Sequence, residues 1–142
     1  MGEKVALDTP VFIYYLEGHS DLAPRCRRLL ADVERGKLEA TTSTVCVLET
    51  LVRPLVLRED QVVLQYKEWF THFPHLTVKP MTMDTSILAA ELRAEYGVGV
   101  ADAVVGATAI EAACTRLITN DDGLRVLEGR GLRVELLAAP RG

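Results

Sequence analysis

Strand-like and helix-like patterns alternate along almost the whole chain. Short runs rich in apolar or β-branched residues predict five strands, at residues 4–8, 38–42, 76–79, 116–119 and 132–137. The intervening segments carry apolar residues at helical spacing. Strands that alternate with helices form parallel β-α units, and such sheets are covered on both faces. We therefore predict an α/β fold, a three-layer α-β-α sandwich with a central, mainly parallel sheet of four to five strands.

The predicted helix ends rest on capping and turn residues. Pro10 suits the first turn of a helix that has Thr9 as its N-cap and ends at Gly18. Asp21 is expected to open the second helix, and Pro54 is expected to interrupt the third. The remaining helices are predicted at residues 22–35, 44–57, 60–72, 84–96, 102–113 and 124–128.

Length and composition favour a single globular domain over residues 1–142. Hydrophobic residues make up 49% and charged residues 25%, as in ordinary folded proteins. No apolar run is long enough to span a membrane, and the N-terminus lacks a secretory signal. Three cysteines without a CxxC pair argue against a disulfide framework or a zinc site. These features predict a reduced, cytoplasmic protein that does not enter a membrane.

The charge distribution is more informative than the net charge of -4. An acidic total alone argues weakly against nucleic-acid binding, which favours basic surfaces. If four carboxylates gather at one metal site, however, the rest of the chain is neutral. Arginine, which suits phosphate through its planar fork, supplies most of the basic residues. The candidates for phosphate binding are Arg25, Arg27, Arg28, Arg53 and Arg93.

Four acids are the candidate site residues: Asp8, Glu49, Asp102 and Asp121. Asp8 and Asp121 follow predicted strands, Asp102 begins a predicted helix, and Glu49 lies inside one. Taken singly, each aspartate has a structural interpretation. Asp8 and Asp121 suit turns, and Asp102 suits a helix N-cap, as Asp21 and Asp84 do.

Glu49 has a less ordinary setting, because its neighbours in the third helix are apolar on nearly every side. A helix that is apolar all round is expected to be buried. A buried carboxylate needs a partner or a metal ion. Arg53, one turn further along the helix, is the alternative partner.

The four acids together favour a metal site. In parallel sheets the ligand site lies beyond the carboxyl ends of the strands, so side chains that follow different strands meet there. Three or four carboxylates at one place would repel one another unless a cation held them. Oxygen ligands without His or Cys suit Mg²⁺ or Mn²⁺. Such a site is typical of phosphoryl-transfer chemistry.

Four segments in this order resemble a PIN-domain ribonuclease, particularly the VapC-type toxins of bacterial toxin–antitoxin systems. The segments that carry the resemblance, which spans almost the whole chain, are residues 6–16 (ALDTPVFIYYL), 43–49 (STVCVLE), 101–109 (ADAVVGATA) and 117–121 (LITND). Two departures stand out. Ala101 replaces a proline common before the third acid, and Asp122 follows the fourth acid where relatives often carry a basic or polar residue.

The resemblance assigns roles to individual positions. It implies that the metal-binding and catalytic acids are Asp8, Glu49, Asp102 and Asp121. It implies outer-shell or substrate roles for Thr9, Thr119 and Asn120, and Asp122 is a further outer-shell candidate. The register favours Asp121 over Asp122 as the fourth acid.

The implied activity is metal-dependent endonucleolytic cleavage of single-stranded RNA, with Mg²⁺ or Mn²⁺ as cofactor. The implied partners are the RNA substrate, a cognate antitoxin and a second copy of the chain. A housekeeping RNA-processing nuclease and a non-cleaving RNA- or protein-binding module remain alternatives. A phosphatase that uses Asp8 is disfavoured, because Pro10 stands where that chemistry needs a second aspartate.

Overall fold

The computed structural model describes residues 2–138 and contains one sheet of five parallel strands within them. The strands are β1 (Glu3–Leu7), β2 (Leu38–Ser43), β3 (Leu76–Lys79), β4 (Arg116–Thr119) and β5 (Arg133–Leu136). Their order in the sheet is β3-β2-β1-β4-β5. The predicted bounds of β3 and β4 are confirmed. The predicted domain of residues 1–142 includes Met1 and residues 139–142, which lie outside the described part.

Helices cover both faces of the sheet. They are α1 (Thr9–Glu17), α2 (Ala23–Glu34), α3 (Thr44–Val56), α4 (Asp60–His72), α5 (Met83–Tyr96), α6 (Val100–Glu111) and a 3-10 helix (Asp122–Arg130). Helices α1 to α4 connect the strands from β1 outward to β3, whereas α5 and α6 carry the chain back across the sheet to β4. Right-handed crossovers therefore place the two groups on opposite faces. The predicted three-layer α-β-α sandwich is confirmed.

The core lies on both sides of the central strand β1. Val5, Ala6 and Leu7 of this strand are all buried. Small residues let α6 pack closely on the other elements, and a Cβ atom at Gly106 would lie only 2.6 Å from the Leu127 side chain. This close packing fixes the first turn of α6, which contains Asp102, at the carboxyl edge of the sheet.

Three predicted helix starts are wrong. Asp8, rather than Thr9, caps α1, because its carboxylate accepts a hydrogen bond from the Thr9 amide at 2.8 Å. The second helix begins after Leu22, which makes no side-chain cap, so Asp21 does not open it. Helix α5 begins with a capping box between Thr82 and Thr85, and Asp84 lies inside its first turn.

The N-cap interpretation of Asp102 is also wrong. Gly99 occupies the N-cap position of α6, which begins at Val100, so Asp102 lies inside the first turn. An aspartate there interacts favourably with the helix dipole, but its side chain does not cap the helix. It is therefore available to the carboxyl edge of the sheet.

Helix α3 differs from its prediction in two ways. It continues through Pro54 to Val56 without interruption. It is also not buried all round, because Leu48 and Val52 are 60% and 50% exposed. The apolar pattern of its sequence therefore marks an uncovered surface as well as a core-facing one.

Candidate metal-binding cleft

The four predicted acids line one cleft of about 470 Å³ at the carboxyl edge of the sheet. Its lining residues are Asp8, Thr9, Pro10, Ile13, Tyr14, Glu49, Asp102 and Asp121. The acids come from four elements: the end of β1, the middle of α3, the first turn of α6 and the turn after β4. Topology thus brings together residues that are far apart in the chain.

Asp8 lies at the bottom of the cleft and is only 6% exposed. The Thr9 amide donates to one carboxylate oxygen, Oδ1, at 2.8 Å. The Thr119 hydroxyl donates to the other, Oδ2, at 2.7 Å. Burial raises the pKa of Asp8, and the two hydrogen bonds oppose that shift by stabilising the carboxylate. Both oxygens are thereby held in fixed directions.

Glu49 is held by Thr9. The Thr9 hydroxyl donates to Glu49 Oε1 at 2.5 Å, so this threonine contacts two of the four acids. The residue is exposed, which makes the prediction of a buried carboxylate wrong. The physical reason is that its apolar neighbours Leu48 and Val52 themselves face outward. Thr9 is its hydrogen-bond partner, and Arg53 forms no ion pair with it.

Among the four acids, Asp102 has the most clearly raised pKa. Burial, contact with Asp121 and the charges of Asp8 and Glu49 raise its pKa to about 7. All of these causes penalise the ionised form, because like charges share a partly desolvated space. The cleft therefore concentrates negative charge that its own side chains do not neutralise.

The structure brings Asp121, and not Asp122, to the cleft. Asp121 caps the 3-10 helix, with Oδ1 accepting from the Gly123 amide at 2.9 Å. Its own amide donates to Thr119 Oγ1 at 3.0 Å, which links it to the threonine that holds Asp8. Asp122 is exposed and forms an ion pair with Arg125 at 3.0 Å.

Asn120 lies at the rim of the cleft and contacts Tyr14, one of the residues that line it. Its side-chain amide donates to the Tyr14 hydroxyl at 3.2 Å, and its carbonyl accepts from the Ala138 amide at 3.2 Å. The sequence analysis did not assign Pro10, Ile13 or Tyr14 to the metal site. Their spacing of three and four residues in α1, directly after Asp8, is the signal that places them on one helix face.

Two of the arginines suggested for phosphate binding make hydrogen bonds or ion pairs with other parts of the fold. Arg25 donates to the Leu136 carbonyl at 3.0 Å and pairs with Glu135. Arg93 donates to the Val98 carbonyl at 3.1 Å. These side chains tie helices to neighbouring segments of the fold.

The donor set fits a hard divalent cation. All four acids offer carboxylate oxygens, the ligands that Mg²⁺ and Mn²⁺ prefer. Within residues 2–138, no three His, Cys, Asp or Glu side chains already converge at metal-binding distances. Asp102 nonetheless contacts Asp121, and, besides burial, the charges of Asp121, Asp8 and Glu49 disfavour its ionised form. Such repulsion is what a bound cation would relieve.

A family model for the PIN domain matches residues 5–129. The chain therefore belongs to the PIN-domain family. No curated protein matched it. None of the helices within the described residues is long and apolar enough to cross a membrane.

Solved structures of toxin–antitoxin systems share this fold. VapBC2 from Rickettsia felis, bound to a DNA fragment from its promoter, is similar with a TM-score of 0.67 and 18% identity, over 94% of this chain and 98% of that one. VapBC-5 from Mycobacterium tuberculosis has a TM-score of 0.57 and 26% identity, with coverages of 94% and 96%. VapC20 from the same organism, a toxin that cleaves the sarcin-ricin loop, has a TM-score of 0.65 and 16% identity, with coverages of 80% and 86%.

Proposed function

We propose that the chain is a metal-dependent endoribonuclease that cleaves single-stranded RNA, and that it is the toxin of a toxin–antitoxin pair. The observation that carries the proposal is the convergence of Asp8, Glu49, Asp102 and Asp121 on one cleft. Membership of the PIN family supports a nuclease. The likeness to a toxin that cleaves the sarcin-ricin loop supports RNA as the substrate class.

The four acids would hold Mg²⁺ or Mn²⁺. When bound, the metal supplies an activated water and neutralises charge on the scissile phosphate. Asp8 and Asp102 form the centre of this donor set, because both lie in the partly desolvated part of the cleft. Glu49, in the middle of α3, and Asp121, in the turn after β4, complete the donor set.

Hydrogen bonds from two threonines prepare the acids for this role. Thr119 donates to Asp8 and accepts from the Asp121 amide, so it couples two of the acids. Thr9 orients Glu49 through a bond of 2.5 Å. Side chains that fix ligand oxygens in this way typically contribute about 10- to 100-fold to metal affinity or activity.

Two protein partners follow from the same proposal. The similar structures come from VapBC systems, which supports a cognate antitoxin as the partner that controls the nuclease. A second copy of the chain would cover the exposed apolar stripe of α3, formed by Leu48, Val52 and Leu55. These residues recur at helical spacing on one face, and apolar faces of this kind favour association. Light scattering of the purified chain tests the homodimer.

The direct test is RNA cleavage by purified protein, freed from any co-purified partner, in Mg²⁺, Mn²⁺ or EDTA. We expect cleavage with either metal and none in EDTA. Asp8→Asn and Asp102→Asn should each lower the rate at least about 100-fold. The matched control is Asp84→Asn, because Asp84 also lies in the first turn of a helix but is exposed and does not line the cleft.

The outcomes separate the candidate functions. Cleavage that persists in EDTA, or in both cleft variants, contradicts the assignment of the acids. A folded protein that binds RNA and Mn²⁺ but never cuts supports a non-cleaving module instead. Circular dichroism of each variant confirms that a lost activity does not reflect a lost fold.

A further inference from the structure

The cleft has an apolar side that the acids do not explain. Pro10, Ile13 and Tyr14 line it together with the four carboxylates. A site for a metal ion and a phosphate alone would need only polar groups. We call Pro10, Ile13 and Tyr14 the apolar wall.

The apolar wall is fixed relative to the acids. Its residues lie in the first two turns of α1, and Asp8 is the N-cap of that helix. Ile13 and Tyr14 follow Pro10 by three and four residues, so all three share one face of the helix. Each is half-buried, which leaves part of its surface open to a ligand.

The neighbouring Tyr15 is also half-buried but does not line the cleft. Tyr15 packs against Trp69 and Phe73, with ring centroids 5.4 Å and 6.5 Å apart. It belongs to the aromatic cluster between α1 and α4. Tyr14 instead lines the cleft together with the four acids.

Hydrogen bonding leaves the proton of the Tyr14 hydroxyl available to a ligand. The Ala138 amide is a donor, so it requires the carbonyl oxygen of Asn120. That contact orients the Asn120 side chain with its amide nitrogen toward the Tyr14 oxygen, 3.2 Å away. The Tyr14 oxygen therefore accepts, and its own proton remains to be donated.

We infer that the apolar wall binds the nucleobase next to the scissile phosphate, and that the Tyr14 hydroxyl donates to an acceptor on that base. The inference rests on the proposed function, because it names a subsite for the RNA of the same cleft. Asn120 is a positioning residue for the hydroxyl. Tyr14 is the residue that discriminates between bases.

The chemistry of the cleft matches this ligand better than phosphate alone. A nucleotide combines a charged phosphate with a flat, largely apolar base, and the two sides of the cleft offer the corresponding surfaces. Proteins that read single-stranded RNA place unstacked bases against aromatic side chains and bond their edges. A base in a duplex is already stacked and paired, so the wall also favours single-stranded substrates.

The test compares cut sites in a pool of single-stranded RNA of random sequence, with Mn²⁺ as the metal. Tyr14→Phe removes only the hydroxyl, and we expect the rate for the preferred base beside the cut to fall about 5- to 10-fold. Rates for the other bases should change less than about twofold, so the preference flattens. Tyr14→Ala should lower the rate at least about tenfold for all bases, because the stacking surface is lost.

Two further variants isolate the hydroxyl. Tyr15→Phe is the matched control, since it removes a hydroxyl from the adjacent residue outside the cleft, and its preference should equal that of the unaltered protein. Asn120→Ala should flatten the preference less than Tyr14→Phe, because the hydroxyl stays but loses its orientation. A purely structural role of Asn120 would lower the rate for all bases equally.

The outcomes distinguish this inference from the proposed function. If the unaltered protein neither binds nor cuts RNA, the proposed function fails. If it cuts and Tyr14→Phe keeps the same base preference, or if it cuts without any preference, the function stands and the inference is wrong. If Tyr14→Phe keeps the preference but weakens inhibition by a partner protein, the wall binds protein and the inference is likewise wrong.

Discussion

Two groups of charged side chains on the same sheet are organised in opposite ways. Near the amino ends of β1 and β4, Arg116 pairs with Glu3 at 3.1 Å and with Glu135 at 2.8 Å. Arg25 adds a contact to Glu135 at 3.4 Å. We call these four residues the paired network. In the cleft, by contrast, the acids contact hydroxyls, amides and one another.

The pKa shifts record this difference. The Thr115 hydroxyl and Arg116 lower the pKa of Glu3. Burial and neighbouring acids raise the pKa of Asp102 to about 7. Charges that stabilise a fold are neutralised by partners within it. Carboxylates that bind a cation, in contrast, repel one another until the cation is bound. The paired network therefore stabilises the fold, and the unneutralised acids of the cleft support the proposed metal site.

The largest expected effect distinguishes two acids that are adjacent in the sequence, of which only Asp121 lines the cleft. Asp121→Asn should lower RNA cleavage at least about 100-fold, because it removes one of the carboxylates that we propose to hold the metal. Asp122→Asn should change it less than about threefold, since Asp122 is 80% exposed and paired with Arg125. Initial cleavage rates at saturating Mn²⁺ measure both. Equal losses in the two variants would contradict the choice of Asp121.

A smaller effect is expected when the paired network is broken. Glu135→Gln removes the charge that Arg25 and Arg116 share. The two arginines are only 19% and 16% exposed, so we expect a loss of about 1–2 kcal/mol in the free energy of unfolding. Urea denaturation measures the loss, and RNA cleavage by the folded variant should be unchanged. A variant that keeps its stability but loses cleavage would show that the paired network serves activity rather than the stability of the fold.

The smallest expected effect is a gain in stability. The pKa of Asp102 is about 7 in the folded protein against an ordinary value of 3.8, so the folded state binds the proton more tightly. Between these values, rising pH therefore destabilises the metal-free fold. Asp102→Asn should raise the free energy of unfolding by about 1 kcal/mol near neutral pH, after allowance for solvent screening, and by nothing below the unfolded pKa.

Thermal melts of metal-free protein across this pH range measure the gain. Mn²⁺ should stabilise the unaltered protein at neutral pH and have less effect on Asp102→Asn, because the variant lacks a ligand. Asp84→Asn is again the control, and its melting temperature should not rise with pH relative to the unaltered protein. A destabilised Asp102→Asn at neutral pH would show that the acids are not in electrostatic conflict.

The fold could be predicted because local and global signals agree. Strands β3 and β4 have the predicted bounds, since each is a short run limited by turn residues. The proximity of Asp8 and Asp121 followed from a rule of topology, that the carboxyl ends of parallel strands share one edge. The resemblance to PIN domains added Glu49 and Asp102, which lie on helices. None of these inferences depends on the detailed packing of side chains.

The sequence could not predict which residue caps α1, whether Glu49 is exposed, or that the apolar wall borders the acids. These features depend on how side chains pack in the folded protein. Thr9 and Asp8 are both good N-caps by residue type, and in the structure Asp8 caps α1 while the Thr9 hydroxyl donates to Glu49. The exposure of Glu49 depends on which face of α3 meets the sheet, and an apolar pattern on all sides does not specify that. The apolar wall has helical spacing, but only the structure shows that its outer face borders the acids.

The position of β1 in the middle of the sheet sets the moment at which the cleft can exist during protein synthesis. Asp8 and Thr119, whose hydrogen bond joins the first strand to the fourth, are separated by 111 residues. At ribosomal rates of about 5–20 residues per second, that separation corresponds to roughly 5–20 seconds of translation. A chain still being made therefore has no complete cleft, and no carboxylate set able to hold a metal ion, until β4 and the turn that follows it have been synthesised.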